Sequence, residues 1–85
     1  MSRFSVLVEV RPREGIANPE GQTIQRALAG LGYSGVAGVR VGKAIRFTVE
    51  ADDEAAARSQ VEELCRRFLT NPVIEDADIR LEAAV

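Results

Sequence analysis

The chain has 85 residues, 28% of them charged, a formal net charge of −2, one cysteine and no histidine. Its length makes one domain, residues 1–85, with no room for a second core. The acidic balance argues against nucleic acid or an anionic membrane as partner, no run approaches the ~18 apolar residues of a membrane span, and without histidine the commonest general base and zinc ligand are missing.

The single thiol, Cys65, cannot form a disulfide within the chain. Met1-Ser2-Arg3 leads straight into a strand pattern and leaves no room for a signal peptide, so the expected compartment is the cytoplasm. Phe4, Val6, Val8 and Val10 alternate with Ser5, Leu7, Glu9 and Arg11, which predicts a first strand. Leu7 stands on the otherwise polar side, so that side is expected to be partly covered too. Arg11-Pro12-Arg13-Glu14-Gly15 breaks the pattern and reads as a loop. Asn18 suits a helix N-cap and Pro19 the first helical position. Ile24, Ala27, Leu28 and Leu31 then recur at helical spacing as an apolar face, and Gly32 suits a left-handed stop.

Val39 and Val41 alternate with Arg40; Ile45, Phe47 and Val49 alternate with Arg46, Thr48 and Glu50. Alternation on both sides of Gly42-Lys43 predicts two antiparallel strands joined by a tight turn, with Gly42 at positive φ. Asp52 or Asp53 can cap a second helix whose buried stripe is expected to be Val61, Leu64, Cys65, Phe68 and Leu69, Phe68 lying near the centre of the core. Asn71-Pro72 stops that helix. The acidic Glu75-Asp76-Ala77-Asp78 reads as a solvated turn before a last strand at Ile79-Arg80-Leu81-Glu82. The expected fold is therefore an α+β two-layer sandwich: a four-stranded antiparallel sheet with two helices on one face, in the βαββαβ ferredoxin-like order.

Motifs of known chemistry fail on context. Gly30-Leu31-Gly32-Tyr33-Ser34-Gly35 satisfies a dinucleotide fingerprint, but it follows a helix instead of opening one, so a helix stop and turn is expected. Gly38 to Lys43 is one residue short of a phosphate loop, and Ala44 stands where a magnesium-binding hydroxyl is needed. Cys65 falls in an apolar helix stripe and reads as inert. RNA binding would need exposed aromatics on the central strands, and Phe47 points inward. The same strand and helix order occurs in small-molecule regulatory domains of the ACT type, which offers an alternative reading with Gly35 and Gly38 lining a ligand site.

Three segments carry a more specific likeness: Asn18-Pro19-Glu20-Gly21, Val39-Arg40-Val41-Gly42-Lys43, and Phe68-Leu69-Thr70-Asn71-Pro72-Val73-Ile74-Glu75-Asp76. With these in order, the chain resembles over its whole length the PurS family, the small subunit of phosphoribosylformylglycinamidine (FGAM) synthase. It departs from the family pattern at Asn18, where Asp is usual, and at Ala77, where an aromatic is usual. The resemblance implies a subunit without catalytic residues, cofactor or metal of its own, working in the fourth step of de novo purine biosynthesis. It implies a homodimer or dimer of dimers that bridges a synthetase subunit (PurL), which holds ATP and magnesium, and a glutaminase subunit (PurQ), and that assists ammonia transfer between them. The partner contacts are expected at Asn18, Pro19, Gly21, Arg40, Gly42 and Lys43 and at Asn71, Pro72, Val73, Ile74 and Glu75.

Overall fold

The computed structural model describes residues 1–84. Strand β1 (Ser2–Pro12) lies at the centre of a three-stranded sheet, flanked by β2 (Lys43–Ala51) and β3 (Glu75–Ala83). Both neighbours run antiparallel to β1, with Val8 opposite Ile45 on one side and Ile79 on the other. β2 and β3 are therefore parallel to each other, and helix α2 (Glu54–Leu64) joins them by crossing the face of β1. Alternation puts Phe4, Val6, Val8, Val10 and Val49 on the covered face, where they form the core with Ala57 and Val61 of α2 and with Cys65. Ile45, Phe47, Ile79 and Leu81 extend that core at its margin.

Asp53 caps α2, its carboxylate accepting the Ala56 N–H at 2.8 Å. The helix does not run on as an α-helix to Leu69. At Cys65 it widens into a π-helical turn, Cys65–Leu69, closed by Thr70 N–H to the Cys65 carbonyl at 3.1 Å. A π turn advances fewer degrees per residue than an α turn, so the stripe drifts off the sheet. Val61 and Cys65 stay buried, but Phe68 is turned out to 83% exposure, and Leu64 is also exposed. The expectation of a central Phe68 is thus overturned.

Two further corrections concern the sheet. The expected strand Val39–Val41 is not formed, so the sheet has three strands and not four, and Gly42 does not turn a hairpin: the positive-φ glycines are Gly15, Gly32 and Gly38. The acidic run from Glu75 to Asp78 is not a turn but the first half of β3, its carboxylates alternating with Ala77. Ion pairs with β1 and with the loop after it explain why the strand tolerates this charge: Asp78 meets Arg11, and Asp76 meets Arg13 at 3.1 Å.

Helix α1 (Pro19–Gly30) ends as expected. Gly32 at φ +97° donates to the Ala29 carbonyl at 3.1 Å and Tyr33 to the Leu28 carbonyl at 2.9 Å, the paired bonds of a Schellman stop. Its apolar face, however, packs on almost nothing. Ile24 is 41% and Leu31 is 73% exposed, and α1 with the segment after it stands away from the sheet as an arm. The molecule measures 52 × 29 × 14 Å, with a radius of gyration of 16.6 Å. A compact chain of this length has about 12 Å.

Candidate functional site

The arm meets the sheet at one corner, and hydrogen bonds from side chains make the joint. Asn18, only 9% exposed, is the one buried polar residue among the described residues. Its Oδ1 accepts the Gly21 N–H at 2.9 Å as an N-cap and the Val41 N–H at 3.2 Å, while its Nδ2 donates to the Val41 carbonyl at 3.0 Å. One helical turn on from Gly21, Gln25 Oε1 accepts the Val39 N–H at 3.2 Å. Arg40, between them, reaches the other way and donates to the carbonyls of Pro12 at 3.1 Å and Arg13 at 3.0 Å. The N–H groups of Val39 and Val41 and the Val41 carbonyl are thereby engaged by side chains without a ladder, which is why a strand-like pattern yields a strap and not a strand.

Two glycines allow this approach. A Cβ on Gly21 would collide with the Val39 carbonyl, and one on Gly42 with the Val10 carbonyl. Pro19 fills the first helical position, where its missing N–H costs nothing. Lys43 opens β2 opposite Val10, with its side chain in solvent.

The far side of the corner is the turn after the π-helical segment. Asn71 organises it: its carbonyl accepts from Ile74 at 3.1 Å and Glu75 at 2.8 Å, and its Oδ1 accepts the Val73 N–H at 3.2 Å. Glu75 returns the contact, taking the Asn71 N–H at 2.7 Å. The turn is tied to the loop after β1 by Arg13 N–H to the Ile74 carbonyl at 2.8 Å. Pro12 and Arg13 therefore lie between Arg40 on one side and Ile74 on the other. Both groups of expected contact residues converge on one end of the sheet, although 28 positions separate Lys43 from Asn71. Pro72, Val73 (79% exposed), Arg40 and Lys43 face solvent there.

Pro12, Arg13 and Gln25 were not among the residues singled out from sequence. Gln25 had a signal: it stands four positions after a glycine that a close approach requires, on the same helix face. Pro12 and Arg13 contribute main-chain carbonyls, to which no side-chain pattern points.

Chemically the corner offers contact and little else. Among the described residues, no three Cys, Asp or Glu side chains are placed to hold a metal ion. The Cys65 thiol is buried in the core, and burial pushes its pKa up. Gly35 and Gly38 lie in the exposed segment after α1, outside the corner.

The comparisons with known proteins agree with one another. The family model for PurS, phosphoribosylformylglycinamidine (FGAM) synthase, matches residues 5–83. The PurS subunit of that synthase from Methanothermobacter thermautotrophicus is 43% identical over 79 residues, which cover 93% of both chains. The crystal structure of Methanocaldococcus jannaschii PurS superposes with a TM-score of 0.85 at 38% identity, covering 96% of this chain and 99% of that one. A chain in the structure of PurLQS from Thermotoga maritima superposes with a TM-score of 0.88 at 33% identity, covering 96% and 100%. The likeness in sequence and fold thus extends over more than nine-tenths of the chain, and the chain belongs to the PurS family.

Proposed function

We propose that this chain is the small, non-catalytic subunit of an FGAM synthase. In that role it bridges a synthetase subunit (PurL) and a glutaminase subunit (PurQ) in the cytoplasm and helps ammonia pass between them. ATP and magnesium belong to the synthetase. The observation that carries this reading is the corner: three segments distant in sequence meet at one end of the sheet and leave Arg40, Lys43 and Val73 exposed. The likeness to a chain of the Thermotoga maritima PurLQS structure supports a complex of the same kind.

Self-association belongs to the same proposal, as a homodimer or dimer of dimers. The chain exposes 6195 Å². A compact monomer of its mass exposes about 4900 Å². The excess is of the size that one partner gives to a stable interface, about 800 Å² or more, and the uncovered stripe of α1 supplies apolar surface for it. The test is reconstitution. Purified synthetase and glutaminase should show glutamine-dependent FGAM formation only when this chain is added, and Lys43→Glu or Arg40→Glu should weaken assembly. Full activity without the chain would overturn the reading.

A further inference from the structure

The sheet has two free edges, β2 and β3, and they differ. A free edge presents unpaired backbone N–H and C=O groups, and a chain that keeps such an edge to itself guards it with charge. Along β3 the charges stand close together, at Glu75, Asp76, Asp78, Arg80 and Glu82. β2 is lightly guarded: after Lys43 it carries only Arg46 and Glu50, with Thr48 midway between them. Its alternate residues Ile45, Phe47, Val49 and Ala51 belong to the core, but Ile45 and Phe47 are only half-buried, because the core stops at this edge. Arg46 has no ion pair among the described residues, and Glu50 has one long, exposed contact, 3.6 Å to Arg3.

Arg46 and Glu50 lie on one face of β2, placed symmetrically about Thr48. When β2 is laid antiparallel against a second β2 with Thr48 opposite Thr48, Arg46 of each chain meets Glu50 of the other. On the core face Phe47 then meets Val49, and Ile45 meets Ala51. A slip of one residue sets the core side chains of one copy beside the outer face of the other. A slip of two puts Arg46 opposite Thr48 or carries it past the end of the strand. β3 has no equivalent. Matching its Arg80 with Asp78 sets Asp76 against Glu82, matching it with Asp76 sets Asp78 against its own copy, and matching it with Glu82 pairs only the end of the strand. Asp76 and Asp78 are moreover engaged by Arg13 and Arg11. The strand that β2 complements is therefore β2 itself. We propose that two copies of this chain join along β2 about a two-fold axis at Thr48, forming one continuous sheet with three strands from each copy and both α2 helices on the same side. This pairing rests on the self-association proposed above and names a surface for it. A dimer of dimers needs two unlike self-matching surfaces, and the α1 stripe is available as the other.

Sedimentation equilibrium tests the pairing with the wild type, Arg46→Glu and Glu50→Arg, the two variants being run singly and mixed. Each variant alone sets like charges opposite one another twice across the axis, so its assembled mass should halve and its dissociation constant should rise about tenfold or more. Mixed in equal amounts, the two variants bring opposite charges together at both places and should reassociate at parental strength. Within one strand the two positions stand about 13 Å apart, so no contact inside a chain imitates that rescue. Arg80→Glu, the same change of charge on β3, should assemble as the wild type does. Circular dichroism should show both β2 variants folded; should either unfold, Thr48→Lys, which sets two cations at the axis, decides by the same readout. Variants that assemble at parental strength, a mixture that stays apart, or an equal loss for Arg80→Glu overturns this pairing and leaves self-association standing. A wild type that is monomeric at every concentration sinks self-association and this pairing together.

Discussion

Asn18 and Val41, 23 positions apart, exchange two hydrogen bonds: the amide donates to the Val41 carbonyl at 3.0 Å and accepts the Val41 N–H at 3.2 Å. With the bond to Gly21, one side chain caps a helix and fastens it to the segment that leads into β2. Few other contacts hold the arm.

Removing that side chain should therefore release the arm. Asn18→Ala is expected to cost about 2 kcal/mol, since a cap is lost and buried backbone groups are orphaned. Asn18→Asp should cost less. The carboxylate can still accept from Gly21 and Val41, but its second oxygen meets the Val41 carbonyl with no proton to share, so part of the cost remains. Denaturation midpoints of the two variants check the order.

The π-helical turn makes opposite forecasts for two apolar residues of one helical run. Phe68→Ala should leave stability within about 0.5 kcal/mol of the parent, because an exposed ring loses little contact on truncation. Val61→Ala should cost about 2 kcal/mol through lost burial and the cavity left behind. Urea denaturation followed by circular dichroism separates them. A cost for Phe68→Ala as large as that for Val61→Ala would mean that the helix continues unwidened.

The hydrogen bond and charge of Arg11 hold the Asp78 carboxyl below the usual carboxylate range. A depressed folded-state pKa contributes stability that is present above the unfolded value, about 3.9, and lost as pH falls through the folded value. The wild type should thus lose stability on acidification below about pH 4. Asp78→Asn should show a shallower acid limb, and added salt should narrow the difference because both groups are exposed. Thermal melts between neutral and strongly acidic pH measure it.

Burial raises the pKa of the Cys65 thiol, and Glu62 adds to the effect. For a raised folded-state pKa, the contribution is intact below the unfolded value, about 8.5, and is lost as pH rises through the folded value. Stability should consequently decline in mild alkali, and Cys65→Ala should flatten that decline. A thiol-reactive dye at neutral pH should label the native chain more slowly than the denatured one, because both access and thiolate are limited.

Much of this fold is legible along the chain because its determinants are local. Alternation of Phe4, Val6, Val8 and Val10 against polar neighbours specifies a half-buried strand whatever lies around it, and Asn18-Pro19 and Gly32 mark the two ends of α1 by backbone chemistry alone. The same logic misled at residues 39–41. Their alternation is real, but a strand also needs a neighbour with free backbone groups, and here the side chains of Asn18 and Gln25 engage the segment first. Phe68 misled for a related reason. Its spacing is helical, but the register of a stripe depends on every turn before it, and one widened turn moves it to solvent.

By itself, then, the order of residues determined β1, the two ends of α1 and the capped start of α2, that no histidine-based or paired-thiol chemistry is open to the chain, and which family it resembles. Only the tertiary structure decided how many strands join the sheet, that α1 stands clear of it, and that two motifs far apart in sequence share one corner. Those are questions of which groups find each other across long loops. Periodicity reports the environment a residue prefers, and it carries no information about the partner that supplies it.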